Sequence, residues 1–169
     1  MYDLQLWAAK KHLEANHIVF EPGVNEDLAA TSVWGSQQVN QIEGAKYDGV
    51  FAIWYGKGPG VDRSGDAMKH GSYNGAAALG GVLCLAGDDH GAKSSTIAHQ
   101  SEHAFLHYSM PVLNPATVQD YLDLGLYGFA MSRYSGCWIG FICVTDTVES
   151  SASCYVDPSR VEIKYPDDY

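Results

Sequence analysis

The stretch EPGVNEDLAATSVWGSQQ, Glu21 to Gln38, decides the fold. A Pro-Gly turn comes first. Asn25 then occupies a helix N-cap position, because its side-chain oxygen can accept a free N–H group of the first turn. Glu26 and Asp27 follow as first-turn residues, where negative charge meets the positive end of the helix dipole. Apolar residues recur behind them at helical spacing, so the stretch predicts a capped helix over 26–42.

Apolar runs and helical patterns alternate along the rest of the chain. The runs DGVFAIWY, 48–55, and GVLCLA, 81–86, are nearly continuous, as expected for parallel strands buried on both faces. Strand–helix alternation repeated five times predicts an α/β fold, an open, doubly wound, mostly parallel sheet with helices on both faces. The predicted strands are 18–20, 48–55, 81–86, 111–113, 138–144 and an edge strand at 160–165, and the predicted helices are 3–16, 26–42, one ending near 78, 95–109 and 117–133.

The chain begins with a helical pattern that no strand precedes. In a doubly wound sheet we expect a partner strand before such a helix. We therefore expect residues 1–169 to form a single domain that lacks its first strand and is a fragment of a longer polypeptide.

Composition excludes several classes of protein. A net charge of −10 argues against nucleic-acid binding, since affinity for phosphates comes mostly from Lys and Arg. No apolar run approaches the ~20 residues that span a bilayer, and the first residues lack the basic-then-apolar order of a signal peptide. The four cysteines form no C-x-x-C pair, so we expect reduced thiols, no iron–sulfur or zinc knuckle, and a cytoplasmic protein.

Two loops, one rich in glycine and one polar, each follow the carboxyl end of a predicted strand. Ligands of open α/β sheets bind at the carboxyl ends of the strands. GKGPGVD, 56–62, matches neither G-x-x-x-x-G-K-[ST] nor G-x-G-x-x-G, so it favours a turn whose glycines let backbone pass close to a helix or a flat ligand. GDDHGAKSS, 87–95, could offer Asp88 and Asp89 to a metal, or could hold an N-cap serine for the next helix.

One motif resembles a zinc-protease pattern. His99, Glu102 and His103 spell H-x-x-E-H, and two His at i and i+4 of a helix could bind zinc, with the Glu as base. That class also needs a downstream acidic ligand on a helix, and only Glu149 and Glu162 remain, both outside predicted helices. The alternative is a polar helix face near a site or a subunit contact, and we expect no metal ligands in this chain.

Taken together, the segments resemble the pyrimidine-binding domain of thiamine-diphosphate-dependent 2-oxoacid:ferredoxin oxidoreductases, in particular the fused bacterial indolepyruvate branch. The resemblance spans residue 3 to about residue 166 and lies in the whole set rather than in one short motif. The matching segments, in the family's order, are GVNEDLAATSVWGSQQV, GAKYDGVFAIWYGKGPGVDRSGDAMKH, LAGDDHGAKSSTIAHQSEHAF, MPVLNPATVQDYLDLGLYGFAMSRYSGCW and VTDTVESSAS.

The resemblance implies that Glu26 is catalytic and binds the cofactor. In thiamine enzymes a glutamate hydrogen-bonds the N1′ nitrogen of the aminopyrimidine and so promotes proton removal from the thiazolium C2, which requires a carboxyl group in a fairly dry pocket. The implied reaction converts an aryl pyruvate and coenzyme A to aryl-acetyl-CoA, CO₂ and reduced ferredoxin. The further residues implied are Gly58, Pro59 and Gly60 against the aminopyrimidine, and His90, Lys93 and Ser94 on the substrate side.

The resemblance places the remaining machinery outside this chain. Mg²⁺ and the diphosphate belong to a separate pyrophosphate-type domain, and the [4Fe–4S] clusters belong to other domains, where acidic ferredoxin would also dock. A homodimer is implied, and the isolated chain is expected to be inactive. Two classes stay open: a catalytic oxidoreductase domain, which the presence of Glu26 favours, and a non-catalytic structural or dimerising relative. A zinc hydrolase is a distant third.

Overall fold

The structure is a computed structural model that describes residues 9–167. The predicted helix over 3–16 falls partly outside these residues, and its described part is the helix α1. The helices are α1 Lys10–Ala15, α2 Glu26–Ser36, α3 Gly58–Arg63, α4 Gly65–Asn74, α5 Glu102–His107, α6 Val118–Ser135 and α7 Thr145–Val148, with 3₁₀ turns at Val39–Gln41 and Pro158–Arg160. The strands are β1 Phe51–Lys57, β2 Gly81–Asp88, β3 Val112–Leu113 and β4 Ile139–Val144.

Four strands form one sheet in the order β1-β2-β4-β3, and every pair is parallel. The register places Trp54 beside Cys84 and Cys84 beside Gly140, so these residues share one face of the sheet. Helices lie on both faces, as the alternation of strand and helix predicts. The α/β class and the parallel sheet are therefore confirmed. The described part of the chain has four strands, whereas the sequence predicts six.

The larger part of the core lies on the face that carries Trp54 and Cys84. Both are fully or almost fully buried, together with Met68 of α4 and Phe105 of α5. The opposite face of β2 and β4 is covered by α6, where the absence of a side chain at Gly128 lets the helix approach Leu83 closely. The carboxyl ends of β1, β2 and β4 therefore meet at one edge, held between two helical layers.

The strand β1 departs from the prediction of a strand buried on both faces. Trp54 is only 2% exposed, but Phe51 and Ile53 are each 52% exposed and Tyr55 is 36% exposed. The physical reason is position, because β1 is the edge of the sheet and α6 packs on β2 and β4, reaching β1 where Phe129 contacts Phe51. The continuous apolar run therefore predicts the strand correctly, but its prediction of burial on both faces is wrong.

The helix α2 begins as predicted and ends early. The Asn25 side chain accepts a hydrogen bond from the Leu28 backbone N–H at 2.9 Å, and α2 starts at Glu26. The helix stops at Ser36 instead of continuing to 42. The cause is Gln37, which is buried and uses its side-chain amide to donate to the Val50 carbonyl and to accept from the Ala77 backbone N–H.

Two predicted strands are absent from the described residues. The segment 18–20 has no strand partner, and Val19 is 85% exposed, so β-branched composition alone did not create a strand. The segment 160–165 is not a strand either. It follows a tail that lies along α6, where Gln119 exchanges hydrogen bonds with the Tyr155 backbone and Asp123 pairs with Arg160.

None of the helices within residues 9–167 combines the length and the apolar character needed to cross a bilayer.

The capping box of α6 gives a pH-dependent prediction. Asp120 accepts hydrogen bonds from the backbone N–H groups of Ala116 and Thr117, and the Ala116 N–H is the largest cause of a lowered Asp120 pKa. A carboxylate with a lowered folded pKa stabilises the fold above its unfolded pKa of about 3.9, and this contribution is lost as pH falls through the folded value. We expect Asp120→Asn to lower the free energy of unfolding at pH 7.

Urea unfolding of the wild type and Asp120→Asn at pH 7 and pH 3 checks this prediction. The stability difference should shrink at pH 3, because the Asp120 carboxylate of the unfolded wild type takes up a proton as the pH falls below about 3.9, whereas the lowered pKa of the folded state delays this uptake. Asp157 cannot serve as the control, since its pKa is also lowered by a local N–H group. Asp48 is more suitable, because it is exposed, lies outside the helices and has no side-chain hydrogen bond or ion pair among the described residues. A difference of equal size at both pH values would contradict the assignment.

Candidate active site

Glu26 lies beside the carboxyl end of β1, at the start of α2. Its backbone carbonyl accepts a hydrogen bond of 2.9 Å from the indole Nε1 of Trp54, a buried residue of β1. The two acidic residues of this first turn differ, because Asp27 pairs with Arg63 of α3 at 3.1 Å. Glu26 as a residue is partly buried, and its carboxylate has no hydrogen-bond or ion-pair partner among residues 9–167. The structure therefore fixes the backbone of Glu26 and leaves its carboxylate available.

The segment Gly58–Gly60 is already the first turn of α3, whereas the sequence predicts a glycine-rich turn at 56–62. A Cβ atom at Gly60 would lie 2.7 Å from Cγ of Glu26, and one at Gly58 would lie 2.4 Å from the ring of His99. Pro59 between them is exposed. The space beside these glycines is thus occupied by the side chains of Glu26 and His99. The lack of a side chain at Gly60 allows Glu26 to adopt its position.

His99 belongs to this site and not to a helix. Its ring lies against Gly58, its side chain is 13% exposed, and its Nε2 is 3.4 Å from a carboxylate oxygen of Asp62. The helix α5 starts only at Glu102, which contradicts the predicted helix over 95–109. His99 and His103 therefore do not share a helical face, and the H-x-x-E-H pattern does not form the predicted zinc-binding arrangement.

The loop that follows β2 is held by its own polar side chains. Asp89 accepts hydrogen bonds from the backbone N–H and the hydroxyl of Ser94, and the backbone N–H is the largest cause of a lowered Asp89 pKa. Lys57 donates to the Ser94 carbonyl at 2.6 Å, and Lys93 lies 3.9 Å from Asp146 of α7. Ser94, expected on the substrate side, here joins the loop to Asp89 and Lys57, while Lys93, expected on the same side, remains largely exposed.

Asp88 closes β2 and is fully buried. Ser101 donates to it twice, from its backbone N–H at 2.7 Å and from its hydroxyl at 2.6 Å. Burial, and secondarily the charge of Asp88, raises the pKa of the Cys143 thiol to about 12, so this thiol is not a nucleophile at neutral pH. The Asp88–Ser101 contact holds residue 101, and with it the start of α5, against the carboxyl end of β2.

An open cleft of about 350 Å³ lies over this edge of the sheet. Its lining residues are His90, Ala98, His99 and Gln100. Another cleft, of about 390 Å³, lies between α1 and residues 18–22, and no strand residue lines it. We place the candidate site at the first cleft, because its lining residue His99 contacts Gly58 and lies 3.4 Å from a carboxylate oxygen of Asp62.

A scan of protein-family models and a search of curated proteins both find no match to this chain. The assignment of a function therefore depends on the residues and their geometry.

The sequence predicts correctly that Glu26 lies at the start of a helix, and it gives no sign of the residues that contact Glu26. Trp54 could be recognised only as part of an apolar run, because no local pattern pairs the indole of a strand with a first-turn carbonyl 28 positions away. The contact of His99 with Gly58 joins residues more than 40 positions apart, so no local pattern could indicate it.

Proposed function

We propose that this chain is the aminopyrimidine-binding domain of a thiamine-diphosphate-dependent 2-oxoacid:ferredoxin oxidoreductase that acts on an aryl pyruvate such as indolepyruvate. The observation that supports this most directly is Glu26, a partly buried residue whose carboxylate has no partner among the described residues, at the carboxyl edge of a parallel sheet. Open α/β sheets bind ligands at that edge. Asp27, the adjacent acid, is already engaged by Arg63 and is the poorer candidate.

The residues present fit an aminopyrimidine. The group to be recognised is a ring nitrogen that shares a proton, and Glu26 offers a carboxylate whose backbone is fixed by Trp54. Gly60 contributes indirectly, since any side chain there would displace Glu26. When bound, thiamine diphosphate supplies the electron sink that 2-oxoacid decarboxylation needs, and this chain supplies the proton-sharing group.

The proposal assigns the rest of the reaction to other domains of the same enzyme. A pyrophosphate-type domain would hold the diphosphate and Mg²⁺, and other domains would carry the [4Fe–4S] clusters, bind coenzyme A and meet ferredoxin. A cytoplasmic homodimer follows from the same proposal. Because the proposal places the diphosphate, Mg²⁺ and the clusters in other domains, we expect this chain alone to reduce no viologen dye with any 2-oxoacid.

Binding of thiamine diphosphate to the 169-residue chain tests the proposal. In ¹⁵N-labelled protein we expect amide shifts at Glu26, Gly58 and Gly60 on addition of millimolar cofactor. An analogue with a C–H group in place of N1′ keeps the size and the diphosphate but cannot share the proton. It should therefore shift these amides much less.

Two results would contradict the proposal. Equal shifts with the N1′ analogue would remove Glu26 from the recognition of the ring nitrogen. Shifts absent from α2 and α3 at saturating cofactor would favour the alternative, a structural or dimerising relative with the same fold and no cofactor.

A further inference from the structure

Three metal-ligating side chains meet at the carboxyl end of β2. They are Asp88, His90 and Glu102, and one ligand atom from each lies within 4.8 Å of the other two. The three come from a strand, the following loop and the first residue of α5. This group differs from both metal arrangements that the sequence suggests, the Asp88–Asp89 pair and the H-x-x-E-H pattern.

The two carboxylates are positioned by regular structure and by Ser101. Asp88 is the last residue of β2, and its two hydrogen bonds from Ser101 fix the chain immediately before Glu102. Glu102 then begins α5. Since Asp88 and Ser101 hold each other, the spacing between the two carboxylates is set by the fold, while His90 approaches from an exposed loop.

No lysine or arginine among residues 9–167 forms an ion pair with Asp88 or Glu102. Asp88 is fully buried, and the Oε2 atom of Glu102 is buried with no hydrogen-bond partner in the described part of the chain. The two lysines of the neighbouring segments are used elsewhere, Lys57 at the Ser94 carbonyl and Lys93 at Asp146. Buried carboxylates are normally paired or coordinate a metal, because an isolated buried charge is costly.

We propose that Asp88, His90 and Glu102 bind a divalent transition-metal ion. One imidazole nitrogen and two carboxylate oxygens form a ligand set used by Zn²⁺ and related ions, whereas Mg²⁺ prefers oxygen ligands alone. Ligand atoms around one such ion lie roughly 3–4 Å apart, so a small movement of the exposed His90 completes the site. His90 also lines the cleft, which leaves room for further ligands on the open side. This inference does not depend on the proposed function.

Titration of the untagged, metal-free chain with Zn²⁺ tests the proposal by calorimetry, and Co²⁺ provides a visible absorption spectrum of the bound ion. We expect one Zn²⁺ per chain. Glu102→Gln and His90→Ala should each weaken binding by more than about tenfold, since loss of an outer-shell partner alone costs about 10–100-fold. Asp88→Asn is a poor choice, because Asp88 also holds Ser101.

Matched controls separate this site from general binding by histidines and acids. His107→Ala removes an exposed histidine of α5, and Glu149→Gln removes an exposed glutamate after α7. Both should leave Zn²⁺ affinity and the Co²⁺ spectrum unchanged. The proposal fails if the wild type binds no Zn²⁺, if either site variant binds as tightly as the wild type, or if the control variants weaken binding equally. Circular dichroism of each variant confirms that the fold is retained.

Discussion

Glu26→Gln is expected to slow 2-oxoacid oxidation by about 10²–10⁴-fold in the complete enzyme that contains this chain, the range typical of a positioned acid–base group. Gln keeps the size and the hydrogen-bonding reach of Glu but cannot share a proton with a ring nitrogen. The backbone of the variant should be unchanged, since Trp54 holds residue 26 by its carbonyl oxygen. Reduction of methyl viologen, dependent on thiamine diphosphate, coenzyme A and an aryl pyruvate, measures the rate.

Asp27→Asn is the matched control for this variant. It removes the neighbouring first-turn carboxylate and the same interaction with the helix dipole, about 0.3–1 kcal/mol. The Asp27–Arg63 pair has both side chains substantially exposed, so its loss should cost little. We expect a rate close to the wild-type value. Similar losses of rate in both variants would indicate that Glu26 acts only through its charge at the start of the helix. An unchanged rate of Glu26→Gln would indicate that the cofactor binds at another position.

Gly71→Ala and Gly125→Ala are expected to change stability in opposite directions, although both place an alanine inside a helix. A Cβ atom at Gly71 of α4 would lie 2.4 Å from Cζ2 of Trp138, whose ring is fully buried. Overpacking of this kind typically costs about 1–3 kcal/mol, and we expect it to exceed the gain in helix propensity. At Gly125 of α6 no heavy atom lies within 4 Å, so the gain of about 0.5–1 kcal/mol remains.

Urea unfolding of the two variants, followed by circular dichroism, measures both effects. Fluorescence of the folded state adds a local readout, because displacement of Trp138 should change the tryptophan emission of Gly71→Ala and not that of Gly125→Ala. A Gly71→Ala variant as stable as Gly125→Ala would show that Trp138 can move at little cost. The packing between α4 and the amino end of β4 would then be looser than the fully buried ring indicates.

Features set by short-range chemistry could be predicted from the sequence. The start of α2 is determined by Asn25 and the Leu28 N–H three residues later, so the sequence contains the whole interaction. The strands β2 and β4 are apolar runs with helices on both faces, which is the case for which a continuous run is informative. Glu26 could be proposed as a site residue because its position follows from that same capped helix start.

Features set by distant contacts could not be predicted. Ile53 is exposed because β1 lies at the edge of the sheet. The sequence of a strand does not determine its place in the order of strands. The late start of α5 depends on Asp88, whose bonds to Ser101 hold the chain in a non-helical path before Glu102. The group formed by Asp88, His90 and Glu102 requires this same long-range contact, so the three residues show no spacing typical of a metal motif.

The strand order also has a consequence for how the chain folds while it is being made. The last strand in the sequence, β4, lies between β2 and β3, so neither of those two strands has its partner on that side until residue 144 is available. At about 5–20 residues per second, synthesis from the end of β2 to the end of β4 takes roughly 3–11 s. During that interval β2, a largely apolar strand, presents an unpaired edge to the ribosome surface and to chaperones. The sheet of this nascent chain is therefore completed only when β4 pairs with the free edge of β2 and provides the edge on which β3 pairs.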